Sequence, residues 1–588
     1  MNPDDIRFSL IQVIFFIFIF IIYSEQSHAQ NVLEPGVLEK SLEQSRPTFS
    51  PPLEDEPPEI IIEDSRKLKD PGAGPSFFVK KVIVEGNTLI DDEALALLVD
   101  MDGGMEVTLG ILSLMANEIT AEYAIKGYFL TRAFVPQQEM VDGIVKIQVL
   151  EGRIGKVIIE GNKRYNSKGF LDRMKPVREE KVLREQTLEE TLLELNSMLG
   201  IKVRSILRPG ELPGTSNLIL NVTESRRYQF SYDMDNFGSH YTGTNKIGLT
   251  GTVGGVLTMG DQFSTRWSTT DMVFDSYAPS YIFPVNTLGT KLRLAYSFSE
   301  NELGRSLKNK AMGGSTHSYT WELSHPLAKA RDNQIAIRGG MNFRIGENET
   351  VSDNTISKED TQDVYFGLGG NFTDSYLGRN FYDIKAKLGL RLARAFEPKP
   401  SRAGGNDNAL TSNLSLTRIQ RTKYFNSFFT IKLNGQVAGK RLISGSKVSY
   451  GGMGTVRGYT LAEIGGDMGY SASIDYTIPY PKKWKLPLGS LEKFFKDWPA
   501  LSQTLTLNMF ADYGRMFTLD KTLSEKTDED IAGTGLGLTL NIPKKENKHP
   551  GFSFSVAYAV PMFGSLRRPN ASPDHTWGMV YLSGMTNY

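Results

Sequence analysis

The chain has no cysteine in 588 residues. That excludes a disulfide framework, thiol catalysis and cysteine-ligated zinc or iron–sulfur centres. Histidine is scarce: His28, His240, His317, His325, His549 and His575 are scattered, with no helical metal-ligand spacing among them. Net charge is almost absent, at -1 from 66 basic and 67 acidic residues, so nothing points to a nucleic-acid partner. There is no nucleophile–base constellation and no phosphate loop, so neither an enzyme nor a cofactor or metal site is expected. Long apolar runs are missing beyond the first 30 residues. The mean hydropathy of -0.27 does not suit a helical membrane protein.

The one apolar run, Val13 to Tyr23, is followed by small residues at Ser27 and Ala29. It is too short to cross about 30 Å of hydrocarbon comfortably. Residues 1–29 therefore read as a signal peptide cleaved after Ala29, although Asp4 and Asp5 beside Arg7 depart from the usual basic start. Val37, Leu38 and Leu42 form a weak apolar stripe, read either as a short helix over Gly36 to Ser45 or as a loose tail. Residues 46–76 carry Pro47, Pro51-Pro52, Pro57-Pro58 and Pro71-Gly72 and read as an extended linker without a core.

An internal repeat follows. Lys80-Lys81-Val82-Ile83-Val84-Glu85-Gly86-Asn87 returns as Gly155-Lys156-Val157-Ile158-Ile159-Glu160-Gly161-Asn162. Each copy opens the series strand, helix, helix, strand, strand. In the first, Leu112, Met115, Ile119 and Tyr123 share one helical face, and Gly127 to Leu130 and Ile144 to Val149 read as strands. In the second, Thr187 and Glu190 have capping-box spacing ahead of Leu188, Leu192 and Leu195. Two α+β modules are expected, over 77–152 and 153–225.

From residue 226 to residue 588 helical periodicity gives way to alternation. Leu292, Leu294, Tyr296 and Phe298 alternate with Lys291, Arg293, Ala295 and Ser297, and Ile384 to Leu392 alternates with lysine, glycine and arginine. Period-two alternation sends one set of side chains to each face of a strand. Lysines and arginines on the polar face, with no covering helices, suit a barrel with lipid outside and a polar lumen. Only a closed sheet can pair every backbone group in lipid using strands. At roughly 22 residues per strand and connection, the region holds about 16 antiparallel strands.

These parts resemble the two-partner secretion transporters of the Omp85 superfamily, the translocators of haemolysins and filamentous haemagglutinins. The modules resemble POTRA domains. The first has Tyr123-x-x-x-Gly127-Tyr128, Val135-Pro136 and Val149-Leu150-Glu151-Gly152, and the second has Pro209-Gly210 with Gly214-x-Ser216-x-Leu218. Asp235-Asn236-Phe237-Gly238-Ser239 and Gly260-Asp261-Gln262 resemble the opening of such a barrel. Val456, Arg457, Gly458 and Tyr459, followed by Gly466-Asp467-Met468-Gly469, resemble the tip of the family's long sixth extracellular loop. Phe510, Asp512 and Gly514 resemble its FxDxG strand. Alternation agrees: Leu505, Leu507, Met509, Ala511 and Tyr513 take one face, so Asp512 points inward, and Asp475 likewise. A carboxylate in a barrel wall wants a cation, and an arginine fork meets it bidentately. The chain ends in Tyr588 where the family tends to phenylalanine, and Asp475 stands where glutamate is more usual.

The resemblance implies a transmembrane β-barrel of about 16 strands preceded by two α+β POTRA domains, located in the outer membrane with the POTRA domains in the periplasm. It implies export of a dedicated TpsA-like exoprotein by a monomer surrounded by outer-membrane lipid, with residues 30–45 as a plug helix. The alternative is an assembly factor of the BamA type. Two modules and a proline-rich arm favour the transporter, and a passive porin has no reason to carry such modules.

Overall fold

The computed structural model describes residues 41–47, 59–62, 75–100, 103–239, 242–271, 274–302, 312–350, 355–392, 402–480, 504–522, 525–544, 550–563 and 578–588. The expected signal peptide over 1–29, residues 30–40 and most of the expected linker lie outside these. No described helix is long and apolar enough to cross a membrane.

The first module contains β2 (Phe77–Val79), β3 (Lys81–Glu85), α1 (Asp92–Val99), β4 (Met105–Val107), α2 (Leu109–Ile125), β5 (Arg132–Phe134) and β6 (Ile144–Leu150). Its sheet runs β3-β6-β5, with β3 parallel to β6. Thr108 caps α2 by accepting from the Ile111 amide at 3.3 Å. Leu112, Ile119 and Tyr123 sink fully into the core against Val145, Ile147 and Val149, with Met115 at its margin. Residues 127–130 are not the expected strand. They finish α2, the Tyr128 amide bonding back to the Tyr123 carbonyl at 2.8 Å, and the strand starts at Arg132.

The second module repeats the plan with β7 (Arg153–Glu160), α3 (Ser167–Arg173), α4 (Lys175–Glu179), α5 (Glu185–Asn196), β8 (Ile201–Pro209) and β9 (Thr215–Glu224). Leu188, Leu192 and Leu195 face its core, but Thr187 does not cap the helix. Helix α5 starts two residues earlier, so the Thr187 carbonyl is already an interior acceptor, bonded by Thr191 at 2.7 Å. A fourth strand, β1 (Ile60–Ile62), joins the edge of this sheet, giving the order β1-β8-β9-β7. Residues 60–62, within the stretch expected to be an extended linker, are thus a strand.

The repeat is one turn built twice. Gly86 and Gly161 both have positive φ, 90° and 83°, and a Cβ on either would strike the Val149 or Val222 carbonyl. Across the turn, Glu151 accepts from the amides of Thr88 (2.6 Å) and Leu89 (3.0 Å) and from the Tyr123 hydroxyl (2.9 Å). Glu224 does the same for the amides of Lys163, Arg164 and Tyr165. Burial opposes ionisation of Glu151, but the Thr88, Tyr123 and Leu89 hydrogen bonds outweigh it and hold the carboxyl below its ordinary 4.5. A lowered folded value means stabilisation is complete above the unfolded value and is lost as pH falls through the folded one. Acidification below about pH 4.5 should therefore loosen this turn. Glu151→Gln should cost on the order of 1 kcal/mol, read as faster trypsin cleavage within 77–152 of the full chain at neutral pH. Unchanged cleavage would show the carboxylate does not hold the turn.

Eleven strands, β10 (Tyr228–Asp235) to β20 (Phe428–Ala438), and five more, β23 (Met468–Pro479), β24 (Leu505–Phe517), β25 (Asp528–Ile542), β26 (Gly551–Phe563) and β27 (Met579–Asn587), form a closed sixteen-stranded antiparallel barrel. The seam pairs Ser231–Asp235 with Ser583–Asn587, extended by the Tyr588 amide bonding to the Phe230 carbonyl at 2.8 Å. Alternation does what the sequence requires. Tyr319, Trp321 and Leu323 project outward, whereas Glu322 between them faces the lumen and accepts from the Tyr365 hydroxyl at 2.8 Å. Lumenal charges are matched: Arg338 meets Asp383, and Lys387 lies 3.6 Å from Asp363. The second module rests on the barrel's periplasmic turns. Glu194 of α5 accepts from Lys329 at 2.8 Å and lies 3.5 Å from Lys291, and Arg173 donates to the Met259 carbonyl at 2.6 Å.

Candidate functional site

The loop between β20 and β23 turns back into the lumen instead of outward. Its limbs pair as a short hairpin, β21 (Val448–Tyr450) with β22 (Ile464–Gly466). Val456 and Tyr459 at its end are fully buried against Val448, Tyr450, Ile464, Met516 and Ile531. Val456 crosses so close to β24 that a Cβ at Gly514 would lie 2.9 Å from it and 3.2 Å from Tyr450. The glycine of the FxDxG strand thus makes room for the loop.

Arg457 is the point of attachment. Its Nε and Nη2 donate to the two oxygens of Asp512, both at 2.7 Å, and its own amide donates to Asp512 at 3.0 Å. Nη1 donates to Asp475 at 2.7 Å, and Nη2 to the Ser473 hydroxyl at 3.1 Å. Ser473 in turn donates to Asp512 at 2.7 Å. The guanidinium lies over the Phe510 ring, 3.6 Å from its centre. The Asp512 side chain is 0% exposed, so nearly all its hydration is replaced by this one fork, the Arg457 amide and one hydroxyl. Gly458 and Tyr459 are tied to β27: the Tyr581 hydroxyl accepts from the Gly458 amide at 3.0 Å and donates to the Tyr459 carbonyl at 3.1 Å. Tyr459 donates to the Ala532 carbonyl at 3.0 Å.

All eight residues singled out in the sequence — Val456, Arg457, Gly458, Tyr459, Asp475, Phe510, Asp512 and Gly514 — therefore meet in one place, halfway down β23 and β24. Ser473, Gly533 and Tyr581 belong there too and carried no local signal. A Cβ at Gly533 would collide with the Arg457 carbonyl.

A second set of charges closes the outer ends of three loops. Arg402 donates to Asp467 through Nη1 (2.5 Å) and Nη2 (3.1 Å), to the Leu442 carbonyl and to Glu525 (both 2.8 Å). Arg441 donates to Glu525 (2.7 Å) and to the carbonyls of Ala403 and Asp520 (both 2.9 Å). Asp467 is 0% exposed. Burial opposes the ionised form of Glu525, but Arg441, the Thr522 amide and Arg402 hold it well below the usual carboxylate range.

Residues 41–46 sit in the lumen beside the loop. Leu42 packs on Phe274, Leu461 and Ala462, and its carbonyl accepts from Lys246 at 3.0 Å. Glu43 lies 3.4 Å from Arg266, Arg46 lies 4.0 Å from Asp233, and Arg266 and Asp233 pair at 2.7 Å. Ser41 and Ser449 bond at 3.0 Å.

A closed barrel of sixteen strands, two POTRA modules and a lumenal loop anchored by arginine define an outer-membrane transporter of the Omp85 architecture. Residues 214–540 match the family described as haemolysin secretion/activation protein ShlB/FhaC/HecB, and residues 77–152 match the POTRA domain of ShlB type. The chain belongs to the haemolysin secretion/activation family of two-partner secretion transporters. Its relatives include the heme/hemopexin transporter protein HuxB of Haemophilus influenzae (strain 86-028NP), 22% identical over 84% of this chain and 85% of that one. The outer membrane transporter CdiB of Escherichia coli O6:K15:H31 is 24% identical over 52% of each. Among solved structures, CdiB from Escherichia coli superposes with a TM-score of 0.68 at 18% identity, over 95% of this chain and 100% of that one. BamA from Haemophilus ducreyi lacking POTRA domains 1–3 superposes at 0.51 with 14% identity, over 87% of this chain and 100% of that one, a likeness of fold alone.

Proposed function

We propose that this transporter takes one unfolded TpsA-like exoprotein from the periplasm through its POTRA domains, 77–152 and 153–225, and passes it through the barrel, 226–588. It works as a single chain, with outer-membrane lipid around its outward apolar face. Arg457 and its carboxylate partners hold the long loop in its working position. The observation that carries this reading is the Arg457 fork on Asp512: a loop tip locked by buried charge at mid-barrel belongs to a device for conduction and not to a passive wall. The POTRA sheets have strand edges, and backbone pairing to an extended chain is the recognition such edges offer.

Deletion of residues 77–225 should reduce exoprotein in the medium to background while a heat-modifiable barrel remains in the outer membrane. Secretion at the normal level would remove recognition from the modules.

A further inference from the structure

Strand register draws the periplasmic edge of the lipid face. Tyr228 on β10 pairs with Val253 on β11 (Lys246–Gly254), Val253 with Phe263 on β12 (Gln262–Thr270), and Phe263 with Tyr281 on β13 (Phe274–Pro284). Cross-strand partners share a face, and Tyr228 and Phe263 are 57% and 38% exposed. A row of this kind on a barrel's outward face marks the boundary between hydrocarbon and headgroups. Immediately ahead of Tyr228 the chain carries Arg226 and Arg227, at the level of lipid phosphates. The second module brings more cations to the same place. Glu224 gathers the amides of Lys163, Arg164 and Tyr165. Arg164 donates to the Ser225 carbonyl at 3.3 Å, and Arg227 to the Gly255 carbonyl at 3.0 Å. A Cβ on Gly255 would strike the Tyr165 hydroxyl, so the turn that holds Lys163 rests on the turn between β11 and β12.

Lys163, Arg164, Arg226 and Arg227 thus share one junction. Arg164 lies in the field of Glu224, and the other three have no carboxylate partner among the described residues. Elsewhere on the periplasmic rim cations are matched: Lys291 and Lys329 share Glu194, and Arg418 meets Asp374. The acids bonded into the junction are already spent. Glu224 holds the three amides, and Asp261 accepts from the amides of Val256 (2.6 Å), Leu257 (2.8 Å) and Thr258 (2.6 Å) and from the Tyr281 hydroxyl (2.6 Å). We propose that this junction binds the phosphate of an anionic phospholipid in the inner leaflet. Unmatched cations at one level call for an anion, and an arginine fork fits phosphate oxygens. Anionic lipid gives each such cation a net attraction that a zwitterionic headgroup does not. The acyl chains then lie on Tyr228 and on Phe230, which is 44% exposed. A lipid seated there touches both bodies at once, the module through Lys163 and Arg164 and the barrel through β10. It ties the second module to the leaflet whatever the modules recognise in the periplasm.

The test uses the full chain, purified in neutral detergent and shown to be heat-modifiable. Native mass spectrometry counts lipid adducts during titration with dioctanoyl phosphatidylglycerol or dioctanoyl phosphatidylcholine. The unaltered chain should take up the anionic lipid about tenfold more tightly than the zwitterionic one. Lys163→Gln with Arg226→Gln removes two exposed cations whose side chains bond to no described residue, so the fold should survive. This pair should lose about tenfold in affinity for the anionic lipid. Lys181→Gln with Lys423→Gln removes equal charge at two other exposed lysines and should change nothing. Glycerol phosphate, the headgroup anion without chains, should fail to displace the lipid at equal concentration. Equal uptake of both lipids by the unaltered chain overturns the site without recourse to any variant. Undiminished binding by the Lys163–Arg226 pair, or an equal loss in the Lys181–Lys423 pair, overturns it by placing the lipid elsewhere. Displacement by glycerol phosphate overturns the lipid as occupant.

Discussion

Arg457→Ala is expected to reduce secretion tenfold or more while leaving barrel insertion intact. The substitution strips the fork from Asp512, whose side chain is 0% exposed, and the Nη1 donor from Asp475. Breaking a buried pair by removing one partner costs roughly 3–5 kcal/mol. At about 1.4 kcal/mol per factor of ten, even the lower figure depopulates the clamped loop about a hundredfold. Asp512→Ala removes the same contact from the other side and should have a similar effect. The double variant should be little worse than either single one, because a double-mutant cycle reports contact shared by two residues. Arg457→Lys should fail as well. Lysine keeps the charge, but it cannot address both oxygens of Asp512, Asp475 and Ser473 from one planar group. The measurement is exoprotein in the medium against heat-modifiable barrel in the membrane. Wild-type secretion by Arg457→Ala, or additive defects in the double variant, would show that this pair is not the anchor.

Removal of residues 30–46 should raise single-channel conductance in planar bilayers several-fold. The segment is held by groups of different kinds: Leu42 on Phe274 and Leu461, the Lys246 bond to its carbonyl, and the Glu43–Arg266 and Arg46–Asp233 charges. Arg46 is partly exposed, so its pair is worth little alone. Lys246 is 2% exposed and also lies 3.4 Å from the buried Asp235. Lys246→Met should therefore reproduce part of the conductance increase without shortening the chain. Conductance identical to wild type after removal of 30–46 would reject the plug.

The barrel was legible in the sequence because strand alternation is a local signal, repeated from β10 to β27 at a period that lipid enforces. The paired modules were legible because the turn at Gly86-Asn87 is written twice, although its closing acids, Glu151 and Glu224, lie over 60 residues downstream in each copy. What stayed hidden was non-local. Tyr581 meets Gly458 across 123 residues, and no property of either residue's neighbours announces it. Gly533 looks like any strand glycine until the Arg457 carbonyl is placed beside it. Residues 127–130 misled because Tyr-Phe-Leu after a glycine has strand-like composition, while the helix C-terminus needs those same residues to close its last turn. Ile60–Ile62 went unread because three isoleucines among prolines make a strand only when a sheet edge is offered.

The charges at the outer mouth bear on how that mouth can move. Arg402 binds groups from two other loops, and Glu525 binds arginines from two. Moving any one loop breaks ion pairs to both of the others. The three loops are tied as one unit, and a force applied to any of them is carried to the other two.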